Sequence, residues 1–244
     1  MISGILLIDK PAGITSFGVV AKIRGILRRE LKQKNIKVGH AGTLDPDATG
    51  LLIVLIGKAT KLQDSFMTLP KTYTGKFKLG VKTNTGDASG EVVESAEIPK
   101  DLSSATLLNV AQKLLGKRLQ MPPQFSAKKI NGQRAYDLAR RGEVVKLEPK
   151  QIEIFQLDLG FVDQVTLSYA LVCSHGTYVR SLAEEVGNAL GTVAHALTIR
   201  REQIGPYTTV AAKSFQEILD GSGASLLASI SSVVEENIQQ HVSK

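Results

Sequence analysis

Six consecutive aliphatic residues, Leu51-Leu52-Ile53-Val54-Leu55-Ile56, constrain this chain more than any other stretch. A run with no polar position has no side to offer water, so it reads as a buried strand around which a core must close. It is the longest such run and falls far short of the ~18 apolar residues of a membrane span. Near the start, Ile5-Leu6-Leu7-Ile8 meets Asp9 and Lys10 at once, which leaves no signal-peptide core. Cys173 is the single cysteine and can form no intramolecular disulfide. These features predict a cytoplasmic protein with no membrane association. The 244 residues, 43% hydrophobic and 22% charged, have the balance of a globular protein. Such a length supports one large domain with an appendage, here residues 1–210 followed by a short helical tail, 211–244.

Lys and Arg outnumber Asp and Glu by 30 to 23, giving a net charge of +7. From Gly205 onward two lysines stand against four acidic residues, so the first 204 residues carry +9. A basic surplus concentrated in the main body suits a polyanionic partner, because neutralised phosphates release counterions. Charge proposes nucleic acid without choosing it.

Gly4 to Asp9 reads as a strand closed by the turn Lys10-Pro11-Ala12-Gly13. Ser16 then caps a helix to about Lys32, with Val19, Ile23 and Leu27 along one face and Lys22, Arg24, Arg28 and Arg29 on the other. Lys71 to Val81 alternates as a half-buried strand does. A helix is predicted over Ala105 to Leu115, a strand over Gln124 to Asn131 and a helix over Tyr136 to Arg141. Strands follow at Ile152 to Phe161 and Val165 to Cys173, then a helix from Tyr178 to Leu190 and a strand from Leu197 to Thr209. The tail from Ser214 reads as helical. Elements in this irregular order, without internal repeats, predict an α+β fold with a mixed, mostly antiparallel sheet and flanking helices.

Several chemistries fail on spacing. Gly50 and Gly57-Lys58 are too far apart for a phosphate loop, and Ala59 stands where Ser or Thr would hold magnesium. No G-x-S-x-G elbow is present. The four histidines, His40, His175, His195 and His241, lack paired-ligand spacing, so no metal is expected. The densest polar cluster is the loop Gly39 to Gly50. Its glycines permit sharp turns, and Pro46 stiffens the chain after Asp45. A rigid loop offering a carboxylate beside a buried strand suits a nucleophile or general base, and equally an Asp that caps a turn. Asp47 is the rival carboxylate, and spacing does not separate the two.

The string Gly39-His40-Ala41-Gly42-Thr43-Leu44-Asp45-Pro46-Asp47-Ala48-Thr49-Gly50 resembles the nucleophile loop of the TruB family, the bacterial tRNA pseudouridine-55 synthases. Further blocks agree with it in the expected order. They are Lys10-Pro11-Ala12-Gly13-Ile14-Thr15-Ser16, Lys71-Thr72-Tyr73 and Thr83-Asn84-Thr85-Gly86-Asp87. Beyond these come Pro122-Pro123-Gln124-Phe125-Ser126-Ala127-Lys128-Lys129 with Arg134-Ala135-Tyr136, and Gly176-Thr177-Tyr178-Val179-Arg180. The resemblance covers roughly residues 1 to 210, which it implies to be a pseudouridine synthase catalytic domain with a central active-site cleft. Many relatives continue into an additional RNA-binding module, for which the tail is too short.

The resemblance implies isomerisation of uridine to pseudouridine at position 55 in the T arm of tRNA, by glycosidic cleavage, base rotation and rejoining through carbon. The Leu-Asp-Pro register makes Asp45 the catalytic carboxylate, Arg180 its ionic partner and Tyr73 the ring that stacks on the uracil. Tyr178 and Ile199 correspond to the base pocket, Ile199 standing where leucine is usual. His40 matches the side chain that fills the space left by the flipped nucleotide. Lys22, Arg28 and Arg29 are expected phosphate contacts. No cofactor and no protein partner are implied, and a monomer is expected. A second reading, from another class, is a tRNA-binding and folding chaperone whose catalysis is secondary. A protein-binding scaffold finds no support in repeated apolar pattern.

Overall fold

The computed structural model describes residues 2–123 and 147–231, with the backbone of two short strands between them. In chain order the elements are β1 (Gly4–Lys10), α1 (Ser16–Glu30), β2 (Val38–Ala41), β3 (Thr49–Ile56), α2 (Gln63–Thr68), β4 (Lys71–Leu79), β5 (Val81–Thr83) and β6 (Val92–Ser95). There follow α3 (Ser104–Leu114), β7 (Gly116–Gln120), β8 (Lys129–Ile130), β9 (Gln133–Arg134), β10 (Lys150–Asp163), β11 (Thr166–Cys173) and α4 (Val179–Ala189). The chain then forms β12 (Ala194–Ile204), β13 (Tyr207–Thr208), β14 (Lys213–Ser214), α5 (Phe215–Asp220) and α6 (Gly223–Ala228). The strand and helix expected over Gln124 to Asn131 and Tyr136 to Arg141 fall on 124–146, outside the described residues apart from the backbone of β8 and β9.

Two compact units divide the chain: Met1–Tyr73 with Arg200–Lys244, and Thr74–Ile199. In the first, β1 and β3 pair antiparallel from Gly4 opposite Ile56 to Lys10 opposite Gly50. This pair accounts for the aliphatic run. Leu52, Val54 and Ile56 join Leu6 and Ile8 on one face, under Val19, Val20, Ile23 and Leu27 of α1. Leu51, Ile53 and Leu55 join Ile5 on the other face, with Phe66 of α2 and Leu69. Both faces of β3 are dry, and alternation no longer requires a polar residue. Fully burying each such side chain is worth about 1.5–3 kcal/mol. β2 pairs antiparallel with β3, while β14 runs parallel to β1 and Arg200-Arg201 of β12 run parallel to Thr49-Gly50.

The tail is part of this core. Phe215 and Ile218 of α5 and Leu226 of α6 pack in the same cluster as α1. Ser214 caps α5, accepting from the Glu217 N–H while the Glu217 carboxylate accepts from the Ser214 N–H.

In the second unit β10 pairs antiparallel with β11 on one side and β7 on the other. Phe77 of β4 stacks on Tyr169 of β11 at 4.2 Å, and the Tyr169 hydroxyl donates to the Thr198 carbonyl at 3.2 Å. The face of α4 formed by Val179, Leu182, Ala183 and Val186 is buried. The expected α+β class, with a mixed and mostly antiparallel sheet and flanking helices, holds. No helix among the described residues is long and apolar enough to cross a membrane.

Two local expectations change. The cap of α1 is Thr15, whose hydroxyl accepts from the Gly18 N–H at 2.9 Å; Ser16 is already helical and bonds elsewhere. β12 begins at Ala194, not Leu197, because Ala194 and Ala196 are buried and Ala196 is tied by backbone bonds to Gly86 and Ala88.

Candidate active site

The Asp45 loop lies between β2 and β3 and is held from three directions within the first unit. Ser16, at the start of α1, is buried; its hydroxyl donates to the Leu44 carbonyl at 3.0 Å and accepts from the Leu44 N–H at 2.9 Å. Lys10, 0% exposed at the end of β1, donates from Nζ to the carbonyls of Pro11, Ile14 and Pro46, each at 2.8 Å. The Gly13 N–H adds a bond to the Pro46 carbonyl at 3.0 Å. Arg201 of β12 donates to the Leu51 carbonyl at 2.8 Å and the Gly42 carbonyl at 3.0 Å.

This clamp separates the two carboxylates that spacing left equivalent. Leu44 and Ala48 are buried and anchor the loop on either side; between them Asp45 is half-buried and Asp47 is exposed. The Ala48 N–H closes the turn on the Asp45 carbonyl at 3.2 Å. Burial pushes the Lys10 ammonium down to about 8, with Asp47 and Asp45 pulling it up and Arg201 adding to the fall. The base of the loop therefore carries two buried cations within electrostatic reach of each other.

His40 lies half-buried on β2, opposite Val54 of β3, and Tyr73 lies half-buried on β4. Lys22, Arg28 and Arg29 are exposed on α1. Arg24 instead leans over the ring of Phe17 at 5.8 Å. Arg28 and Arg29 occupy the last turn, where positive charge also complements the helix dipole.

In the second unit Arg180, 5% exposed in the first turn of α4, donates to the Thr85 carbonyl at 2.9 Å and lies 3.8 Å from the Asp87 carboxylate. Asp87 is fixed in turn by the Thr85 hydroxyl at 2.7 Å and the Ser89 hydroxyl at 2.6 Å. Gly86 sits between them at φ +74°, and a Cβ there would lie 3.3 Å from Cβ of Arg180. The block Thr83 to Asp87 is thus the cradle of Arg180. Tyr178 precedes α4, and Gln120 grips its backbone on both sides, accepting from the N–H at 2.8 Å and donating to the carbonyl at 3.2 Å. Ile199 is half-buried on β12. Asp45, Tyr73 and His40 thus belong to one unit, and Arg180, Tyr178 and Ile199 to the other.

The model of the TruB family pseudouridylate synthase N-terminal domain matches residues 28–179. The chain belongs to the TruB family. Its TruB relatives include the tRNA pseudouridine synthase B of Parabacteroides distasonis, 44% identical over 217 residues, which cover 88% of this chain and 92% of the relative. That of Aquifex aeolicus is 44% identical over 218 residues, covering 88% and 73%. Against that of Psychrobacter cryohalolentis the identity is 41% over 206 residues, and this chain spans only 57% of the relative's length. Among solved structures, a chain of a Cbf5–Nop10–Gar1 complex is similar with a TM-score of 0.66 and 26% identity, covering 89% of this chain and 54% of that one.

Lys10, Arg201, Asp87 and Gln120 support the candidate site in the structure but are not marked as site residues by the sequence. One signal was available. Arg200 and Arg201 are adjacent in a strand, so one of the two must face inward.

Proposed function

We propose that this TruB-family chain isomerises uridine to pseudouridine at position 55 in the T arm of tRNA, with Asp45 as the catalytic carboxylate. The N1–C1′ bond breaks, the uracil turns, and C1′ rejoins through C5; the proton lost from C5 is matched by one gained at N1. No oxidant, metal or nucleotide enters that balance. Arg180 is the ionic partner of the carboxylate, orienting it by charge-assisted hydrogen bonds. Tyr73 stacks on the uracil, Tyr178 and Ile199 line its pocket, and His40 fills the gap left in the RNA by the flipped nucleotide. Lys22, Arg28 and Arg29 contact phosphates. The catalytic domain is residues 1–210, and the protein works as a cytoplasmic monomer.

The observation that carries this reading is the clamp on the Asp45 loop. Three buried side chains hold the backbone on both sides of one half-buried carboxylate, a degree of order that a solvated turn does not need. The names of the relatives supply the substrate class, and the basic surplus suits it. The test is to incubate the purified protein with unmodified tRNA and map pseudouridine by position. Product at position 55 is expected. RNA binding without product at any uridine would favour the folding chaperone instead.

A further inference from the structure

Arg200 and Arg201 leave opposite faces of β12. Arg200 forms a two-pronged pair with Asp9, at 3.0 and 2.8 Å, and a second contact with Glu202 at 3.2 Å. Arg201 turns inward and is 1% exposed. Its guanidinium donates from Nε to the Leu51 carbonyl at 2.8 Å, from Nη2 to the Gly42 carbonyl at 3.0 Å, and from Nη1 to the Thr43 carbonyl at 3.5 Å. Gly42 and Thr43 precede Asp45 in the loop, and Leu51 follows it. One side chain therefore spans both ends of the segment.

The backbone repeats the contact. Arg201 is in register with Gly50, whose φ of +99° and lack of a Cβ are both required; a Cβ there would lie 2.2 Å from the Arg201 carbonyl oxygen. At Gly42, φ +93°, a Cβ would come within 3.4 Å of Nη1. Glycine stands where the loop departs and where it returns, each time against Arg201.

We propose that Arg201 is the positioning residue of the Asp45 loop, a buried guanidinium that fixes the separation of the loop's ends and so the place of its carboxylate. This rests on the reading of Asp45 as catalytic. The planar fork suits the task, because its donors sit on three nitrogens at fixed angles, each on its own carbonyl, where a lysine ammonium offers a single nitrogen. Among the described residues its acceptors are carbonyls, and its positive charge adds to that of Lys10 at the base of the loop. A displacement of about 1 Å at a reacting group can cost on the order of a hundredfold in rate, so fixing the loop's ends bears directly on catalysis.

The test uses the full chain with Arg201→Lys, Gly42→Ala, Asp45→Asn and a core control, Leu226→Ala. Single-turnover pseudouridine formation is measured at saturating tRNA, at a temperature where circular dichroism shows each protein folded, with tRNA affinity measured by filter binding. Arg201→Lys and Gly42→Ala should each slow the reaction at least about tenfold, with affinity unchanged within about threefold. Leu226→Ala should lower the melting temperature and keep the wild-type rate. Should Arg201→Lys fail to fold, Gly42→Ala, strained by its φ of +93°, displaces the same end of the loop. Wild-type rates in the folded loop variants would overturn the proposal, as would an equal rate loss in the Leu226→Ala control, which would mean that rate follows stability. An active Asp45→Asn would instead overturn the assignment of the carboxylate itself.

Discussion

Ser16 and Leu44 hold each other by two hydrogen bonds, the Ser16 hydroxyl donating to the Leu44 carbonyl and accepting from its N–H. A serine at the head of a helix thus completes the backbone of the residue before Asp45. Both Leu44 groups are buried, and Ser16→Ala leaves them without these bonds at a cost of about 1–3 kcal/mol. For a chain of this size that lowers the melting temperature by roughly 2–4 °C per kcal/mol. Thermal unfolding checks it; an unchanged melting temperature would mean that other groups satisfy Leu44.

Lys10 makes the loop sensitive to pH. Its ammonium is held down to about 8 by burial, against an ordinary value of 10.5. Between these values the unfolded chain binds the additional proton, so the contribution of this group to stability rises with pH. Activity moves the other way. A neutral amine has two N–H bonds for three carbonyls, and its charge beneath the loop is gone. Single-turnover rates at saturating RNA should show a falling limb near pH 8 that Lys10→Met abolishes. A flat wild-type profile to pH 9.5 would contradict this role.

The elements that sequence made legible are those whose partners are apolar. The run from Leu51 to Ile56 and the stripe Val19, Ile23, Leu27 announce buried surfaces whatever covers them, and the structure joins Leu52, Val54 and Ile56 to that stripe while Leu51, Ile53 and Leu55 face a second cluster. The clamp is of another kind. Lys10 and Arg201 bond to backbone carbonyls, which every residue possesses, so no partner leaves a mark in the sequence. Asp45 and Asp47 differ through the burial of Leu44 and Ala48, which depends on the fold. The cap of α1 lies one residue before the expected Ser16 because Thr15 and Ser16 both suit that position, and the nearness of Leu44 gives Ser16 another use.

Asp87 should matter to catalysis through Arg180. Asp87→Asn removes the negative charge 3.8 Å from the Arg180 guanidinium while preserving size. A 5% exposed arginine that loses an ionic neighbour reorients or shifts, and the rate should fall about ten- to a hundredfold. Tight tRNA binding should persist. An unaltered single-turnover rate would show that Arg180 keeps its place without the Asp87 charge.

The tail should contribute stability more than chemistry. Leu226 lies in the core with Leu27 and Ile23, so ending the chain after Gly221 uncovers part of α1. Removing a buried leucine side chain costs about 2–5 kcal/mol. The truncated protein should melt several degrees lower, yet below that transition it should form pseudouridine at close to the full rate. Loss of activity in a protein still folded by circular dichroism would give the tail a role in the reaction.

The most direct measurement compares Asp45→Asn with Asp47→Asn. Each change keeps shape and most hydrogen bonding and removes one negative charge. In single-turnover assays with unmodified tRNA, Asp45→Asn should form no detectable pseudouridine while still binding RNA. Asp47→Asn, altering an exposed side chain of the same loop, should stay within about tenfold of the wild-type rate. Equal losses in the two variants, or product from Asp45→Asn, would contradict the assignment of the reaction to Asp45.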